Sequence, residues 1–456
     1  MQGPFATRAR IRRLAAALVV AVVATGLTPP QRPALLVISI DGLHPSLVRG
    51  SEALGWHLPN LSRLARSGAS ARAVTGVLPT LTYPSHATLV TGVSPRRHGI
   101  VSNRPLDPAG TNGAGWYWFA EDLRAPALWD VATEAGIETA AVDWPVTVGA
   151  RLTWNVAQIW RPSPYEDVRL RRALSTPGLL AQLEAALGPY PEGEAFGVEA
   201  DRRRADFGVE LLRRRRPGLQ LAYFAGFDEA QHTHGPGSPE ARAALEAIDE
   251  LVGRLQAAAT ERGPARVAVV SDHGFAASEV AVDALEALRR AGLARLGPGG
   301  RVEGWRAHAL VTEGSAAFYL DDARDEAARV LLARMAAALA GDPQLGVAAV
   351  LDRRALALQG AFPGAELAIA LRPGHRFEEG LSGRLWHPER CGTHGFSPRE
   401  PQMDAAFLIA GPGIAAGVDL GRVDMRDVAP TLAAQLGLRL PQAEGHDLSP
   451  RLRPRG

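Results

Sequence analysis

Three short, largely apolar segments each lead directly into a turn that carries acids or histidines. They are Ala34 to Ile40 before Asp41-Gly42, Leu219 to Phe224 before Phe227-Asp228, and Arg266 to Val270 before Asp272-His273-Gly274. Such runs are typical of strands buried on both faces of a parallel sheet, whose carboxyl ends bind ligands. We therefore predict an α/β fold with a central, mostly parallel sheet, helices on both faces and one site at the strand ends.

The segments between and after these strands show helical and strand patterns. Ser238-Pro239 is a favourable cap and first position for a helix whose apolar residues share one face. A strand over Ala405 to Ala410 and a helix around Val428 to Leu436 are predicted near the end of the chain. The region from about 276 to 390 is less regular and lacks paired acid and histidine motifs. We predict that it is a smaller subdomain inserted into one domain spanning 33–456.

The N-terminus has the pattern of an export signal. Four arginines between Arg8 and Arg13 precede an uncharged run from Leu14 to about Leu27, and Thr28-Pro29-Pro30 ends the pattern. The run is short for a membrane span, which needs about 20 residues. We expect residues 1–28 to direct the chain to the periplasm or the exterior, with an uncleaved membrane anchor as the alternative.

Composition excludes several classes of protein. Hydrophobic residues make up 46% and charged residues 21%, which indicates a globular chain. The 50 basic residues are all arginine, yet the net charge is only +2, so we expect no nucleic-acid binding. The single cysteine, Cys391, excludes an internal disulfide framework.

Potential metal ligands cluster in four motifs. Asp228 and His232 share one face if their segment is helical, which makes half of a tetrahedral zinc site. Each motif alone has an ordinary explanation as a turn or cap, and the role of His234 stays open. Together they supply six ligands, about what two zinc ions need when each keeps a position for substrate. The six are Asp41, Asp228, His232, Asp272, His273 and His394.

A nucleophile is expected in the segment from Pro79 to His86. Thr80, Thr82, Ser85 and His86 all fit by spacing. A hydroxyl needs a base, a lowered pKa or a metal ion to become a nucleophile at neutral pH. The spacing does not choose among the four residues.

The ordered motifs resemble a known family. Asp41-Gly42, Thr82 in T-Y-P-S-H, H-G-I-V-S-N ending at Asn103, Asp228-x-x-x-His232, Asp272-His273-Gly274 and Gly392-Thr393-His394-Gly395 are similar to those of the nucleotide pyrophosphatase/phosphodiesterase family, in the alkaline phosphatase superfamily. The resemblance runs from about residue 35 to residue 441. It implies an alkaline-phosphatase-like catalytic domain that hydrolyses phosphate diesters or nucleotide pyrophosphates, with small phosphate esters or nucleotides as substrates.

The resemblance also implies roles for individual residues. One Zn²⁺ would be held by Asp228, His232 and His394, and a second Zn²⁺ by Asp41, Thr82, Asp272 and His273. Thr82 would form a phosphothreonine intermediate, and Asn103 would stabilise phosphoryl charge together with the backbone amide after the nucleophile. Tyr83 and Tyr223 fall where many relatives place aromatic rings against the leaving nucleoside, although core packing is the alternative for both.

Other functions remain open at this point. The same constellation serves phosphomonoesterases and phosphonoacetate hydrolases of the superfamily, and the fold does not separate them. An exported metal-binding protein without catalysis is the non-enzyme alternative. Ser85 stands where many nucleotide-cleaving relatives have asparagine, which affects only the expected details of the pocket.

Overall fold

The computed structural model describes residues 33–107, 115–160, 164–192, 195–261, 263–298, 302–381 and 383–453. The predicted export signal at 1–28 lies outside these ranges. The described residues from 33 onward form one compact unit. In the described ranges, no helix combines the length and the apolar character needed to cross a membrane.

The described chain contains both strands and helices. The strands are β1 (Ala34–Ile40), β2 (Ala69–Ser70), β3 (Ala73–Thr75), β4 (Thr139–Val142), β5 (Trp154–Val156), β6 (Leu219–Phe224), β7 (Ala265–Val270), β8 (Ala276–Asp283), β9 (Ala294–Leu296), β10 (Val302–Trp305), β11 (Ala307–Val311), β12 (Ser315–Leu320), β13 (Val347–Asp352), β14 (Leu367–Leu371), β15 (Gly374–Glu378), β16 (Trp386–Thr393), β17 (Phe407–Ala410), β18 (Val418–Asp419) and β19 (Arg422–Asp424). The helices are α1 (Pro45–Arg49), α2 (Ser51–Leu54), α3 (Pro59–Ser67), α4 (Thr82–Thr91), α5 (Pro95–His98), α6 (Leu128–Glu134), α7 (Pro164–Leu174), α8 (Leu179–Leu187), α9 (Val198–Arg215), α10 (Gly226–His234), α11 (Pro239–Thr260), α12 (Ala284–Arg290), α13 (Glu326–Gly341), α14 (Arg353–Gln359), α15 (Val428–Gln435) and α16 (Ser449–Leu452).

An eight-stranded sheet in the order β18-β2-β17-β7-β1-β6-β4-β5 forms the centre of the fold. The three strands predicted from the sequence lie side by side, with β1 parallel to both β6 and β7. Alternate residues of β1 enter two different cores, Leu35 and Val37 on one face and Leu36 and Ile38 on the other. This burial on both faces explains why the strand is apolar throughout. The predicted mostly parallel sheet is confirmed.

Helices cover both faces of the sheet, as predicted. On one face, α11 begins after Ser238, whose hydroxyl accepts a hydrogen bond from the Ala241 N–H at 3.1 Å. Its predicted apolar residues are all buried, namely Leu245, Ile248, Leu251, Val252 and Leu255. On the other face, α4, α6 and α15 share a core with the alternate side chains of β1.

The region from 276 to 390 is more regular than its sequence suggested. It contains a four-stranded antiparallel sheet, β11-β12-β14-β13, and most of a three-stranded sheet, β15-β8-β16. Phe318, Leu332 and Ile369 belong to a separate core there. The strands are short and rich in alanine, which has low strand propensity, so their pattern is weak in the sequence. The boundaries of the inserted subdomain stay a prediction.

A buried ion network fixes the start of α10. The guanidinium of Arg204 in α9 donates to the carboxylates of Asp143 and Asp201. Asp201 in turn accepts hydrogen bonds from the backbone N–H groups of Ala225, at 3.1 Å, and Gly226, at 2.7 Å. The first N–H groups of a helix have no partner within it. Asp201 therefore holds the first turn of the helix that carries Asp228 and His232.

We expect Arg204→Met to lower the free energy of unfolding by about 3–5 kcal/mol, because it leaves two buried carboxylates without their cation. Urea denaturation measures this loss. Arg202→Met is the matched control on the same helix. Its ion pair with Glu199 is exposed, so its loss costs about 1 kcal/mol or less. Equal effects of the two substitutions would contradict a structural role for the network.

His98 is a fully buried neutral imidazole at the end of α5. The Ile100 N–H donates to its Nδ1 at 3.1 Å, so the ring proton lies on Nε2, 3.1 Å from the Thr88 hydroxyl oxygen. A proton on Nδ1 would oppose the Ile100 N–H. Burial lowers the pKa of His98 to about 3.

This lowered pKa predicts a loss of stability in mild acid. The unfolded state takes up the His98 proton below its ordinary pKa of about 6.5, whereas the folded state does not until about 3. The stabilising contribution is therefore present above 6.5 and is lost as the pH falls, by about 1 kcal/mol between pH 6.5 and 5.5. We expect His98→Gln to flatten the pH dependence of the unfolding free energy by that amount. Parallel curves for variant and wild type would refute the assignment.

Candidate metal centre and active site

Three aspartates meet at one edge of the central sheet. Asp41 follows β1, Asp272 follows β7, and Asp228 lies in the first turn of α10, which follows β6. The two strand ends are tied together, because the Gly42 N–H donates to Asp272 Oδ1 at 3.1 Å. Gly42 has a φ of 70°, and a Cβ there would meet Gln231 Nε2 at 2.8 Å, so a larger residue is disfavoured twice.

The Nε2 atoms of three histidines lie close to these carboxylates, at about the spacing of two ligands bound to one metal ion. His273 Nε2 lies 3.4 Å from Asp41 Oδ1 and 3.2 Å from Asp272 Oδ2. Asp228 lies between two histidines, 3.4 Å from His232 Nε2 and 3.8 Å from His394 Nε2. Two ligands of a tetrahedral zinc ion with bonds of about 2.0–2.1 Å lie about 3.4 Å apart. These spacings fit metal coordination.

The tautomers of the three histidines are set by backbone carbonyls. Nδ1 of His232 donates to the Gly392 carbonyl at 3.0 Å, Nδ1 of His273 to its neighbour Gly274 at 3.1 Å, and Nδ1 of His394 to the Thr80 carbonyl at 3.0 Å. Carbonyls only accept, so each Nδ1 carries the proton and each Nε2 keeps a lone pair. This arrangement is usual for metal-binding histidines. The His273 and His394 rings stack with centroids 3.7 Å apart, which makes the two ligand groups adjacent.

Several buried atoms of this cluster have no hydrogen-bond partner within the described residues. They are Asp41 Oδ1, Asp228 Oδ1, Asp272 Oδ2 and His273 Nε2. Burial, and then the neighbouring Asp272 charge, raises the pKa of Asp41 well above its ordinary value, and burial raises the pKa of Asp272 to about 6. A divalent cation satisfies the orphaned atoms and reverses the repulsion among the carboxylates. The residues present therefore fit metal ions.

The four nucleophile candidates differ in what their side chains contact. The Thr80 hydroxyl donates to the Phe396 carbonyl at 2.9 Å. His86 is fully buried, donates to the Thr82 carbonyl at 2.7 Å and lies 2.8 Å from the Ser39 hydroxyl. The Ser85 side chain is also fully buried. Thr82, the first residue of α4, is 5% exposed, and no described residue bonds its hydroxyl. Only Thr82 combines an uncommitted hydroxyl with access to solvent.

Asn103 lies beside the candidate nucleophile. Its side-chain oxygen accepts a hydrogen bond from the Tyr83 N–H at 2.9 Å, which leaves its amide N–H groups as donors. The two groups of the predicted oxyanion site, the Asn103 amide and the Tyr83 N–H, are thus in direct contact. Tyr83 directly follows Thr82 in the chain. His86 completes the connection to the metal cluster, because its Nδ1 lies 3.6 Å from Asp272 Oδ2.

Tyr83 and Tyr223 are both buried in the core, which favours the packing alternative for these residues over contact with a substrate. Tyr83 is fully buried, and its hydroxyl donates to Gln158 Oε1 at 2.6 Å. Tyr223 is 1% exposed, and its hydroxyl donates to Asp41. Tyr223 belongs to the core on one face of β6, and its contact with the site is through the candidate ligand Asp41.

A pocket of about 670 Å³ opens beside Asn103. Aromatic and apolar side chains line it, together with acids and arginines, and the lining includes Trp116, Trp305, Leu310, Arg376 and Glu379. Glu313 also lines the pocket and lies close to His232 and His394. The sequence reasoning missed Glu313, because it is an isolated acid in a region without paired motifs. By contrast, His234 is exposed at the end of α10 and lies outside the described ligand groups.

Relatives share both sequence and fold with this chain. The mouse ectonucleotide pyrophosphatase/phosphodiesterase family member 1 is 24% identical over 262 residues, which is 54% of this chain and 24% of the mouse protein. An uncharacterized pyrophosphatase/phosphodiesterase of Schizosaccharomyces pombe is 29% identical over 249 residues, or 53% of this chain and 44% of the yeast protein. The chain thus spans less than half the length of these two relatives.

The solved structure of murine ectonucleotide pyrophosphatase/phosphodiesterase 5 superposes with a TM-score of 0.64 at 19% identity, covering 91% of this chain and 97% of that one. An inactive variant of the same murine protein, in complex with AMP, has the same TM-score. These likenesses confirm the predicted fold class. The family model described as type I phosphodiesterase / nucleotide pyrophosphatase matches residues 35–397, which confirms the resemblance seen in the motifs. The chain belongs to the type I phosphodiesterase / nucleotide pyrophosphatase family.

Proposed function

We propose that this chain hydrolyses phosphate diesters or nucleotide pyrophosphates with two zinc ions and Thr82 as the nucleophile. The observation that carries the proposal is one cluster of three carboxylates and three histidines, connected through His86 to Thr82, whose hydroxyl no described residue bonds. Membership in a family described as phosphodiesterases and pyrophosphatases supports the class of reaction.

The ligand set divides into two groups around the His273–His394 stack. Asp228, His232 and His394 would hold one ion, and Asp41, Thr82, Asp272 and His273 would hold the other. Two bound zinc ions supply positive charge that lowers the pKa of a coordinated hydroxyl and neutralises the phosphoryl oxygens. The carbonyls of Thr80, Gly274 and Gly392 orient the imidazoles for this task.

In the first step, the Thr82 hydroxyl gives up its proton to solvent and its Oγ forms a bond to phosphorus while the bond to the leaving oxygen breaks, and that oxygen takes a proton from solvent. In the second step, a water molecule attacks phosphorus, the bond to Thr82 Oγ breaks, and the threonine recovers its proton. The Asn103 amide and the Tyr83 N–H hold phosphoryl oxygens through both steps. A phosphoryl oxygen that accepts from the Tyr83 N–H takes the place of Asn103 Oδ1.

The pocket beside Asn103 supports a diester rather than a monoester. A diester carries an additional organic group, and Trp116 and Trp305 offer aromatic surface for it. The Tyr83 ring packs against Trp116, with the two ring centroids 5.3 Å apart. The AMP complex of the related murine protein supports a nucleotide-sized substrate.

We also propose that the protein acts outside the cytoplasm. The sequence pattern of residues 1–28 supports export, with a membrane tether as the alternative. The names of relatives agree, since they include ectonucleotide pyrophosphatases and a venom phosphodiesterase of Crotalus adamanteus.

We expect Thr82→Ala to lower kcat by several orders of magnitude, because it removes the atom that bonds to phosphorus. Ser85→Ala, which removes a hydroxyl three residues away in the same helix, is the matched control and should cost far less. Rapid quenching of the wild type during turnover should yield protein heavier by one phosphoryl-containing adduct, and Thr82→Ala should not. An active Thr82→Ala enzyme would exclude the covalent mechanism.

We expect kcat/KM for bis-(4-nitrophenyl) phosphate to exceed that for 4-nitrophenyl phosphate. Trp116→Ala should lower the diester value about tenfold, with less effect on the monoester, since aromatic contacts contribute about 1 kcal/mol. Trp154→Ala, at the far edge of the sheet, should change neither value. A wild-type ratio well below one would indicate a monoesterase, and cleavage of phosphonoacetate alone would indicate a phosphonate hydrolase.

A further inference from the structure

Glu313 is brought to the metal cluster by the sheet that contains β11 and β12. It lies in the turn between these strands, where its φ of 58° is unusual for a residue other than glycine. Three hydrogen bonds tie this turn to the segment that carries His394. The Gly314 N–H donates to the His394 carbonyl at 2.9 Å, the Ser315 hydroxyl donates to the Gly395 carbonyl at 2.8 Å, and the Thr393 hydroxyl donates to the Glu313 carboxylate.

The Glu313 carboxylate faces two of the metal-binding histidines. One of its oxygens and one nitrogen each from His232 and His394 all lie within 4.8 Å of one another. Because Nδ1 of both rings donates to a carbonyl, the nitrogen available to a metal is Nε2 in each case. Asp228 Oδ1, a buried atom without a partner among the described residues, lies 3.8 Å from His394 Nε2.

We infer that Glu313 is a further metal-binding carboxylate, completing the position formed by Asp228, His232 and His394. This inference rests on the proposed two-metal function and adds a donor that the ligand set implied by the family resemblance lacks. Charge balance supports it. The other position has two carboxylates, Asp41 and Asp272, for one divalent cation. With Glu313, the first position also has two, so each ion is neutralised locally.

The location of Glu313 gives this ligand a second property. Its side chain is partly exposed and lines the pocket that opens beside Asn103. It therefore approaches the metal position from the side of the pocket, whereas His394 is buried. Oxygen donors of this kind are compatible with a zinc site.

The test is a competition for zinc between the full-length protein and a chelator of known affinity, with bound zinc measured by elemental analysis. Wild type should retain two zinc ions per chain, one in each position. Glu313→Gln should release one of them at a free zinc concentration at least about tenfold higher than wild type, since even indirect support of a ligand is worth 10–100-fold in affinity. The second ion should be released as in wild type.

Glu379→Gln is the matched control, because Glu379 lines the same pocket but belongs to none of the described ligand groups. It should bind both ions as wild type does. Thr393→Val keeps the carboxylate and removes the hydroxyl that orients it, so it should weaken the same position less than Glu313→Gln. If Glu313→Gln fails to fold, Thr393→Val provides the test of Glu313 instead. Unchanged zinc release by Thr393→Val would then overturn the inference.

The outcomes separate the two proposals. If wild type binds two ions and Glu313→Gln releases both as wild type does, the role of Glu313 is overturned and the proposed function stands. If wild type itself holds fewer than two ions, the two-metal mechanism fails, and the assignment of Glu313 fails with it. Because the readout is bound zinc, neither result depends on turnover.

Discussion

The mutual repulsion of Asp41, Asp228 and Asp272 is the constraint around which this structure is organised. Burial, and then repulsion from Asp41, raises the pKa of Asp228 well above its ordinary value. A protein gains nothing in stability from three such groups at one sheet edge unless a cation joins them. The surrounding hydrogen bonds act to hold the carboxylates together: Gly42 binds Asp272, Tyr223 binds Asp41, and the Arg204 network fixes the helix of Asp228.

This arrangement explains why residues far from the chemistry contribute to it. The Thr80 carbonyl accepts from both His394 Nδ1 and the Gly395 N–H, each at 3.0 Å, so the loop before the nucleophile also orients a ligand. His86 joins Thr82 to the neighbourhood of Asp272 in the same way. The candidate nucleophile and the candidate ligands are thus positioned by shared backbone contacts, and a shift in one moves the other.

The sequence predicted the parts of the molecule whose chemistry is local. Apolar strands ending in acids indicated the sheet and the edge where ligands meet, since parallel strands place their carboxyl ends together. The positions of two side chains, those of Tyr83 and Glu313, could not be predicted in this way. Tyr83 follows the candidate nucleophile directly, but helix geometry turns its ring into the core. Glu313 reaches the site only through the pairing of β11 with β12 and the contacts of their turn with residues 393–395, and no local pattern reports such long-range contacts.

The position of β1 between β6 and β7 has a consequence for how the chain acquires its metal site. The candidate ligands extend along the chain from Asp41 to His394, so both partner strands of β1 must be synthesised and paired before they meet. Long-range pairings of this kind form late and slowly in folding. Bound metal then acts mainly on the finished structure, where contacts absent from the folding transition state slow unfolding rather than speed folding. On this topology, the proposed ions would contribute to the kinetic persistence of the fold more than to its assembly.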